Sequence, residues 1–195
     1  MTANTQRAFI LTVLALLMAA SRGHVFSHFS PPDASWAVFF AGGFLLRGWG
    51  RWAFPVLMAL AMGVDAAVIS RQAASFWDHY CVSAAYWGLI PAYGMMWLGG
   101  AWLRRGYTGA SVNQLGRLIG AFLVAVIACQ FIAQGTFYWA SGVVSQPTTA
   151  GWWQNFVEWL PGYMGTAAAY VGIATVLQVA AERIAPMLSG QRHAR

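Results

Sequence analysis

Long stretches without a charged side chain dominate this sequence. No Asp, Glu, Lys or Arg occurs between Asp78 and Arg104, and none occurs between Arg117 and Glu158. Charged residues make up 8% of the chain, whereas a soluble domain carries roughly 25%. A surface with so few charges cannot face water on all sides. The sequence therefore predicts an all-α integral membrane protein whose surface is largely covered by lipid.

The charged residues and the Gly/Pro clusters divide the chain into six predicted transmembrane helices. One span takes about 20 apolar residues, so we expect residues 1–195 to form a single transmembrane domain. Pro91 is expected to kink the fourth helix, because proline removes a backbone hydrogen bond. A signal peptide is the alternative for the first segment, but we expect a retained helix. The predicted helices are Arg7–Ser21, Ala34–Leu46, Trp52–Ile69, Val82–Leu103, Gly116–Ser141 and Gly162–Ala181.

A separate short helix is predicted at Gly151–Leu160, just before the sixth span. Trp152, Phe156 and Trp159 recur there at positions i, i+4 and i+7. Tryptophan favours the headgroup region, so this pattern is typical of an amphipathic helix lying in the membrane interface. A flap over an outer cavity is the alternative.

The arginines predict how the helices are oriented in the membrane. All eleven basic residues are Arg, and only Arg22 and Arg71 fall on one side of the predicted spans. The positive-inside rule places the other nine in the cytoplasm, together with both termini. The net charge of +6 thus follows from topology, and because the arginines form no patch we expect no nucleic-acid partner. The nine are Arg7, Arg47, Arg51, Arg104, Arg105, Arg117, Arg183, Arg192 and Arg195.

Most of the reactive side chains fall on the predicted outer side. His24, His28 and His79 lie in outer loops, and Cys81 lies at the outer start of the fourth helix, where the helix dipole stabilises a thiolate. Cys129 is predicted mid-membrane, which makes it a small buried apolar residue and an improbable disulfide partner. These polar residues either simply occupy loops or form a functional cluster, and a lone thiol with histidines suits a soft or borderline metal.

Polar side chains also lie within the outer halves of the predicted helices. Asp65 is expected at membrane depth, where a carboxylate is costly and normally has a partner or faces a watery cavity. It is either a structural partner of Arg71 or of another helix, or part of the wall of a polar ligand site. Tyr86 and Tyr93 are spaced i, i+7 on the fourth helix.

The fifth helix carries a similar polar stripe. Gln130, Gln134 and Tyr138 are spaced i, i+4 and i+8, so they share one face that climbs toward the outer side. Such residues often hydrogen-bond neighbouring helices. Tyr163, Thr166 and Tyr170 form a third stripe of this kind on the sixth helix. Because three helices carry such stripes, we also interpret Gln134 and Tyr138 as candidate ligand contacts.

Three stretches resemble small bacterial membrane proteins of the BtuM type. The first is Arg-Gly-His-Val-Phe-Ser-His-Phe at Arg22–Phe29, and the second is Pro-Asp-Ala-Ser-Trp-Ala-Val-Phe-Phe at Pro32–Phe40. The third is Tyr-Cys-Val-Ser-Ala-Ala-Tyr at Tyr80–Tyr86, followed by Ile-Pro-Ala-Tyr-Gly at Ile90–Gly94. The resemblance extends over most of the chain.

The resemblance implies an inner-membrane protein that takes up cobalamin (vitamin B12). Proteins of this family are similar in fold to the S-components of ECF transporters, with six helices and an external binding cavity, and some work in organisms that lack the ECF energising module. Their external cysteine ligates cobalt and can promote loss of cyanide from cyanocobalamin, a role that falls on Cys81. His28, Asp65 and Tyr86 match the family's polar positions around the ligand. The implied partners are cobalamin, the lipid bilayer and either an energising module or none.

Two other functions stay open on the sequence alone. The first is a membrane haem or metal oxidoreductase subunit that uses His24, His28 and His79 with Cys81. Haem between spanning helices usually needs histidine at membrane depth, and here every histidine lies in a predicted loop or tail. The second is a structural subunit of a larger complex. The sequence has no Walker A motif, so the chain is not expected to be an ATPase itself.

Overall fold

The computed structural model describes residues 2–22, 31–71 and 84–192, and these ranges form six α-helices and one 3-10 helix. The 3-10 helix leads directly into α4. His28 and Cys81 lie outside the described residues, as do His24 and His79. The elements are α1 (Ala3–Arg22), α2 (Ser35–Leu45), α3 (Gly50–Arg71), the 3-10 helix (Ala84–Gly88), α4 (Leu89–Arg105), α5 (Val112–Ala140) and α6 (Thr149–Arg192).

Four of these helices are long and apolar enough to cross a membrane. They are α1, α3, α5 and the Thr149–Ile184 part of α6, with mean hydropathies from 1.4 to 2.1. Large apolar side chains such as Leu16, Val124 and Val176 are exposed on them, as expected where lipid is the solvent. The protein therefore has transmembrane helical character. α2 has 11 residues, about 16 Å of helix, which is shorter than the bilayer core of about 30 Å.

Two features of the helices differ from the sequence prediction. The expected interfacial helix at Gly151–Leu160 and the sixth span are one continuous helix, α6, with Pro161 inside it. Burial of Phe156 and the edge-to-face contact of Trp152 with Phe131 of α5 hold the first part of α6 against the bundle. Pro91 is the third residue of α4, where a helical residue has no N–H partner within its own helix, so it interrupts no hydrogen bond of α4.

The core is built around α2, the most completely buried helix. Trp36, Ala37, Val38, Phe39 and Phe40 are all buried. α2 lies backbone to backbone against α4, because glycines occupy the contact on both helices. A Cβ atom on Gly43 would collide with the carbonyl group of Trp97, and one on Gly100 with the carbonyl group of Phe40.

We expect Gly100→Ala to destabilise the protein by about 1–3 kcal/mol, because the added methyl group would force α2 and α4 apart. Gly94→Ala is the matched control on the same helix, since nothing lies within 4 Å of a Cβ atom at that position. The control should be neutral or stabilise the helix by up to about 1 kcal/mol. Thermal unfolding of both variants in detergent measures the difference. Equal melting temperatures would show that the helices do not approach this closely.

The bundle has two distinct ends. The Arg22 end, defined by the ends of α1, α3 and α5 and the starts of α2, α4 and α6, is the predicted outer side. The Arg183 end carries the connections at residues 46–49 and 106–111 and the C-terminal part of α6. Both candidate sites described below lie at these ends.

Candidate functional site

A buried arginine organises the polar residues of the Arg22 end. The Arg22 guanidinium donates to both oxygens of Asp65, from Nε to Oδ1 at 2.6 Å and from Nη2 to Oδ2 at 2.7 Å. Its Nη1 atom lies 3.1 Å from Asp33 Oδ2, 3.1 Å from Ser35 Oγ and 2.9 Å from the Tyr93 hydroxyl. The Tyr86 hydroxyl donates to Asp65 Oδ2 at 2.7 Å. The Arg22 cluster is therefore defined as Arg22, Asp33, Ser35, Asp65, Tyr86 and Tyr93.

The local sequence explains how each element supplies its member of the cluster. Arg22 is the last residue of α1. Asp33 accepts hydrogen bonds from the backbone N–H and the hydroxyl of Ser35, at 2.9 and 2.6 Å, and so orders the start of α2. Tyr93 stacks on Phe39 of α2 with a ring-centroid separation of 4.6 Å. The cluster thus joins α1, α2, α3, the 3-10 helix and α4.

Burial makes the central ion pair important for the fold. The side chains of Arg22 and Asp65 are 13% and 18% exposed, whereas that of Asp33 is 44% exposed. The geometry between Arg22 and Asp65 is bidentate, which is the strong form of this pair.

The structure brings together two of the predicted site residues. Asp65 and Tyr86 are hydrogen-bonded to each other, and the predicted polar stripe from Tyr86 to Tyr93 does converge on one place. The predicted structural pair of Asp65 with Arg71 is wrong, because Asp65 is paired with Arg22 and Arg71 lies exposed at the end of α3. The alternative, a hydrogen bond to another helix, is confirmed.

The two candidate contacts on α5 lie in different surroundings. The Tyr138 hydroxyl is buried and accepts a hydrogen bond from the backbone N–H of Thr148 at 3.3 Å, so it holds the connection between α5 and α6. Gln134 is half-buried, and within the described residues it makes no side-chain hydrogen bond. Cys129 is fully buried in the core, as predicted.

Sequence reasoning missed the central residue of the cluster. Arg22 and Asp33 were placed on the outer side, and both also belong to the motifs, as does Ser35. None of them was predicted to be a partner of Asp65. A signal was present, because an arginine on the outer side is an exception to the positive-inside pattern. Such an exception next to an apolar helix indicates a buried partner, and Asp65 was the one carboxylate predicted at membrane depth.

Aromatic side chains attach α6 to the same end. Trp36 at the start of α2 stacks on Tyr163 of α6 at 5.1 Å between ring centroids. The Tyr170 hydroxyl donates to the backbone carbonyl of Pro32 at 2.9 Å. The segment before α2, which belongs to the Pro32–Phe40 motif, is therefore held between the Arg22 cluster and α6.

A second polar network lies at the Arg183 end. Glu182 accepts hydrogen bonds from the Tyr107 hydroxyl at 2.8 Å, from Gln178 Nε2 at 2.8 Å and from the Ala110 N–H at 3.2 Å. Burial and the hydrogen bond to Glu182 raise the pKa of Tyr107 to about 12, so this phenol stays a neutral donor at physiological pH. Next to this network is a cavity of about 390 Å³ between α2, α4, α5 and α6.

Comparisons with known proteins do not assign this chain to a family. No protein-family model matches the chain, and no curated protein matches it significantly. Within residues 2–22, 31–71 and 84–192 no three His, Cys, Asp or Glu side chains are grouped to hold a metal ion. The polar groups of the Arg22 cluster are hydrogen-bonded to one another, and the Asp33 side chain is 44% exposed.

Proposed function

We propose that this protein binds cobalamin at the Arg22 end and takes it up across the bacterial inner membrane. The observation that carries the proposal is the Arg22 cluster, in which a carboxylate, a guanidinium and two phenols converge on one end of an apolar bundle. Cobalamin presents corrin side-chain amides, and amides pair with both acceptors and donors. The three stretches that resemble the BtuM type supply the identity of the ligand, and each of them contributes at least one residue to this cluster.

The cobalt chemistry in this proposal belongs to Cys81. Ala84 follows Cys81 by three positions in the chain, and three such steps span at most about 11 Å. The 3-10 helix that begins at Ala84 holds Tyr86 against Asp65, and this short chain distance supports the proposal that the thiol acts at the Arg22 end. The sulfur would displace the benzimidazole lower ligand and bind Co(III) as a thiolate, because a metal-bound thiol is deprotonated.

Loss of cyanide then follows as a ligand exchange without electron transfer. The thiolate donates electron density to Co(III) and weakens the bond to the cyanide on the opposite face. Cyanide leaves with its electron pair and water takes its place on Co(III). The thiol of Cys81 releases its proton to solvent and cyanide takes one up, so the oxidation state of cobalt does not change. The sequence lacks a Walker A motif, so we do not expect the chain to hydrolyse ATP itself. In this proposal the chain crosses the membrane six times and both termini are cytoplasmic.

A pair of matched tyrosine variants tests where cobalamin binds. Tyr86 and Tyr107 each donate to a carboxylate, at 2.7 and 2.8 Å, but at opposite ends of the bundle. We expect Tyr86→Phe to weaken cobalamin binding by about two- to tenfold, the effect of one hydrogen bond, and Tyr107→Phe to leave it unchanged. Equilibrium binding of cyanocobalamin to the detergent-purified protein, followed by visible absorption, gives both affinities.

Two results would contradict the proposal. One is a parent protein that elutes from gel filtration without any corrin absorption after incubation with cyanocobalamin. The other is an equal loss of cyanocobalamin affinity in Tyr86→Phe and Tyr107→Phe, which would show that cobalamin does not bind specifically at the Arg22 end. Uptake by a host that lacks both an ECF module and any other B12 importer tests transport separately from binding.

A further inference from the structure

The cavity at the Arg183 end has the shape and lining of an acyl-chain site. Its volume of about 390 Å³ falls within the roughly 300–1,000 Å³ of small-molecule sites. It runs along α6 from Val171 to Arg183, which is twelve residues or about 18 Å. Apolar side chains line most of its length, among them Phe40, Leu103, Leu118 and Val179.

The helices around this cavity place it where lipid is the neighbouring solvent. α5 and the Thr149–Ile184 part of α6 are both long and apolar enough to cross a membrane. Apolar side chains beside the lining are exposed on the outer surface of these helices, including Ile119, Ile173 and Val176. A cavity that opens on such a surface is accessible to the chains of the bilayer.

The end of the cavity at the helix termini is basic. Arg183 lines it, and Arg104, Arg105 and Arg117 belong to the same end. Among the described residues none of these arginines has a carboxylate within salt-bridge distance. The acidic residue of this end, Glu182, does not line the cavity and is held by Tyr107, Gln178 and Ala110.

Ser111 adds a hydroxyl group at this end, at the N-cap of α5. The 29-residue helix that starts there directs the positive end of its dipole toward the cavity. The apolar length of the cavity suits the acyl chain of an amphipathic anion, and the basic end of the cavity suits its charged headgroup.

We propose that this cavity binds one anionic phospholipid of the surrounding bilayer. An acyl chain occupies the apolar length between α2, α5 and α6, and the phosphate lies at Arg183 and Ser111. Basic pockets between transmembrane helices are a recognised type of anionic-lipid site. The site is independent of cobalamin, because it lies at the opposite end of the bundle from the Arg22 cluster.

The test compares phosphatidylglycerol with phosphatidylcholine of identical acyl chains. Delipidated protein in detergent is titrated with each lipid, and bound lipid is counted by native mass spectrometry and by the rise in melting temperature. Phosphatidylglycerol should bind more tightly than phosphatidylcholine. Arg183→Gln should weaken it about fivefold, the effect expected of one basic side chain near an anionic lipid. The matched control is Arg105→Gln, an exposed arginine of the same end that does not line the cavity.

A second variant tests the apolar part of the site. Ala174→Phe fills the cavity along α6 and should reduce binding of both lipids, while Arg105→Gln changes neither. Equal affinity for the two lipids would overturn the proposal, as would equal effects of Arg183→Gln and Arg105→Gln. A dimer that forms without bound lipid and is lost in Ala174→Phe would also overturn it, because a second copy would then occupy the cavity. Should Ala174→Phe fail to fold, the arginine pair alone still decides the result.

Discussion

Replacing Cys81 with serine is expected to abolish cobalt–sulfur coordination and the decyanation of cyanocobalamin, while the helical fold survives. Serine has nearly the size of cysteine, but its hydroxyl is not a soft ligand and stays protonated near neutral pH. Some affinity for cobalamin should remain, because the proposed contacts of the Arg22 cluster with the corrin amides do not need the thiol. The measurement is the visible spectrum of cyanocobalamin mixed with each protein, together with the amount of free cyanide released.

Cys129→Ser is the matched control for this experiment. Cys129 lies on α5 and is fully buried in the core of the bundle, so a ligand at the Arg22 end cannot reach its thiol. The substitution puts a hydroxyl into an apolar environment and should lower the melting temperature, but cyanide release should match that of the parent. If Cys81→Ser released cyanide as fast as the parent, the cobalt ligand would have to be another group, and the proposed chemistry would be wrong.

The helical architecture could be predicted because the signal is local. Absence of charge over the length of a span marks a helix in lipid wherever it occurs, so each of the six predicted segments corresponds to a helix in the structure. The ends were harder to predict, because they depend on contacts with neighbouring helices. The packing of Phe156 and Trp152 in the bundle lets α6 continue through Pro161.

The candidate site could be predicted only in part, for the same reason. The sequence indicates that Asp65, a carboxylate at membrane depth, needs a partner. It does not identify that partner, because Arg22 is 43 residues from Asp65 in the chain and Arg71 is only six residues away. The packing of the helices determines the partner. Arg22, the last residue of α1, lies beside Asp65, whereas Arg71 is more than one helical turn beyond Asp65 in α3. The cavity at the Arg183 end depends on the shapes of four helices together, and no sequence pattern marks it.

The largest expected loss of stability comes from removing Asp65. Asp65→Ala should destabilise the protein by about 3–5 kcal/mol, because the largely buried Arg22 guanidinium would lose its bidentate partner and keep its charge. Asp33→Ala provides the comparison within the same cluster. Asp33 also contacts Arg22, at 3.1 Å, but its side chain is 44% exposed, so water can replace it and a loss nearer 1 kcal/mol is expected.

A double variant separates the cost of an unpaired charge from the value of the pair. In Arg22→Met with Asp65→Leu both charges are gone and apolar groups occupy their place, so much of the stability lost in Asp65→Ala should return. Unfolding in detergent of Arg22→Met, of Asp65→Leu and of the double variant gives three free energies, and their non-additivity is the coupling between the two residues. A double variant as unstable as the sum of the single changes would mean that Arg22 and Asp65 act independently. A strong coupling would identify the Arg22–Asp65 pair as the contact that holds α1 and α3 together at the end where cobalamin is proposed to bind.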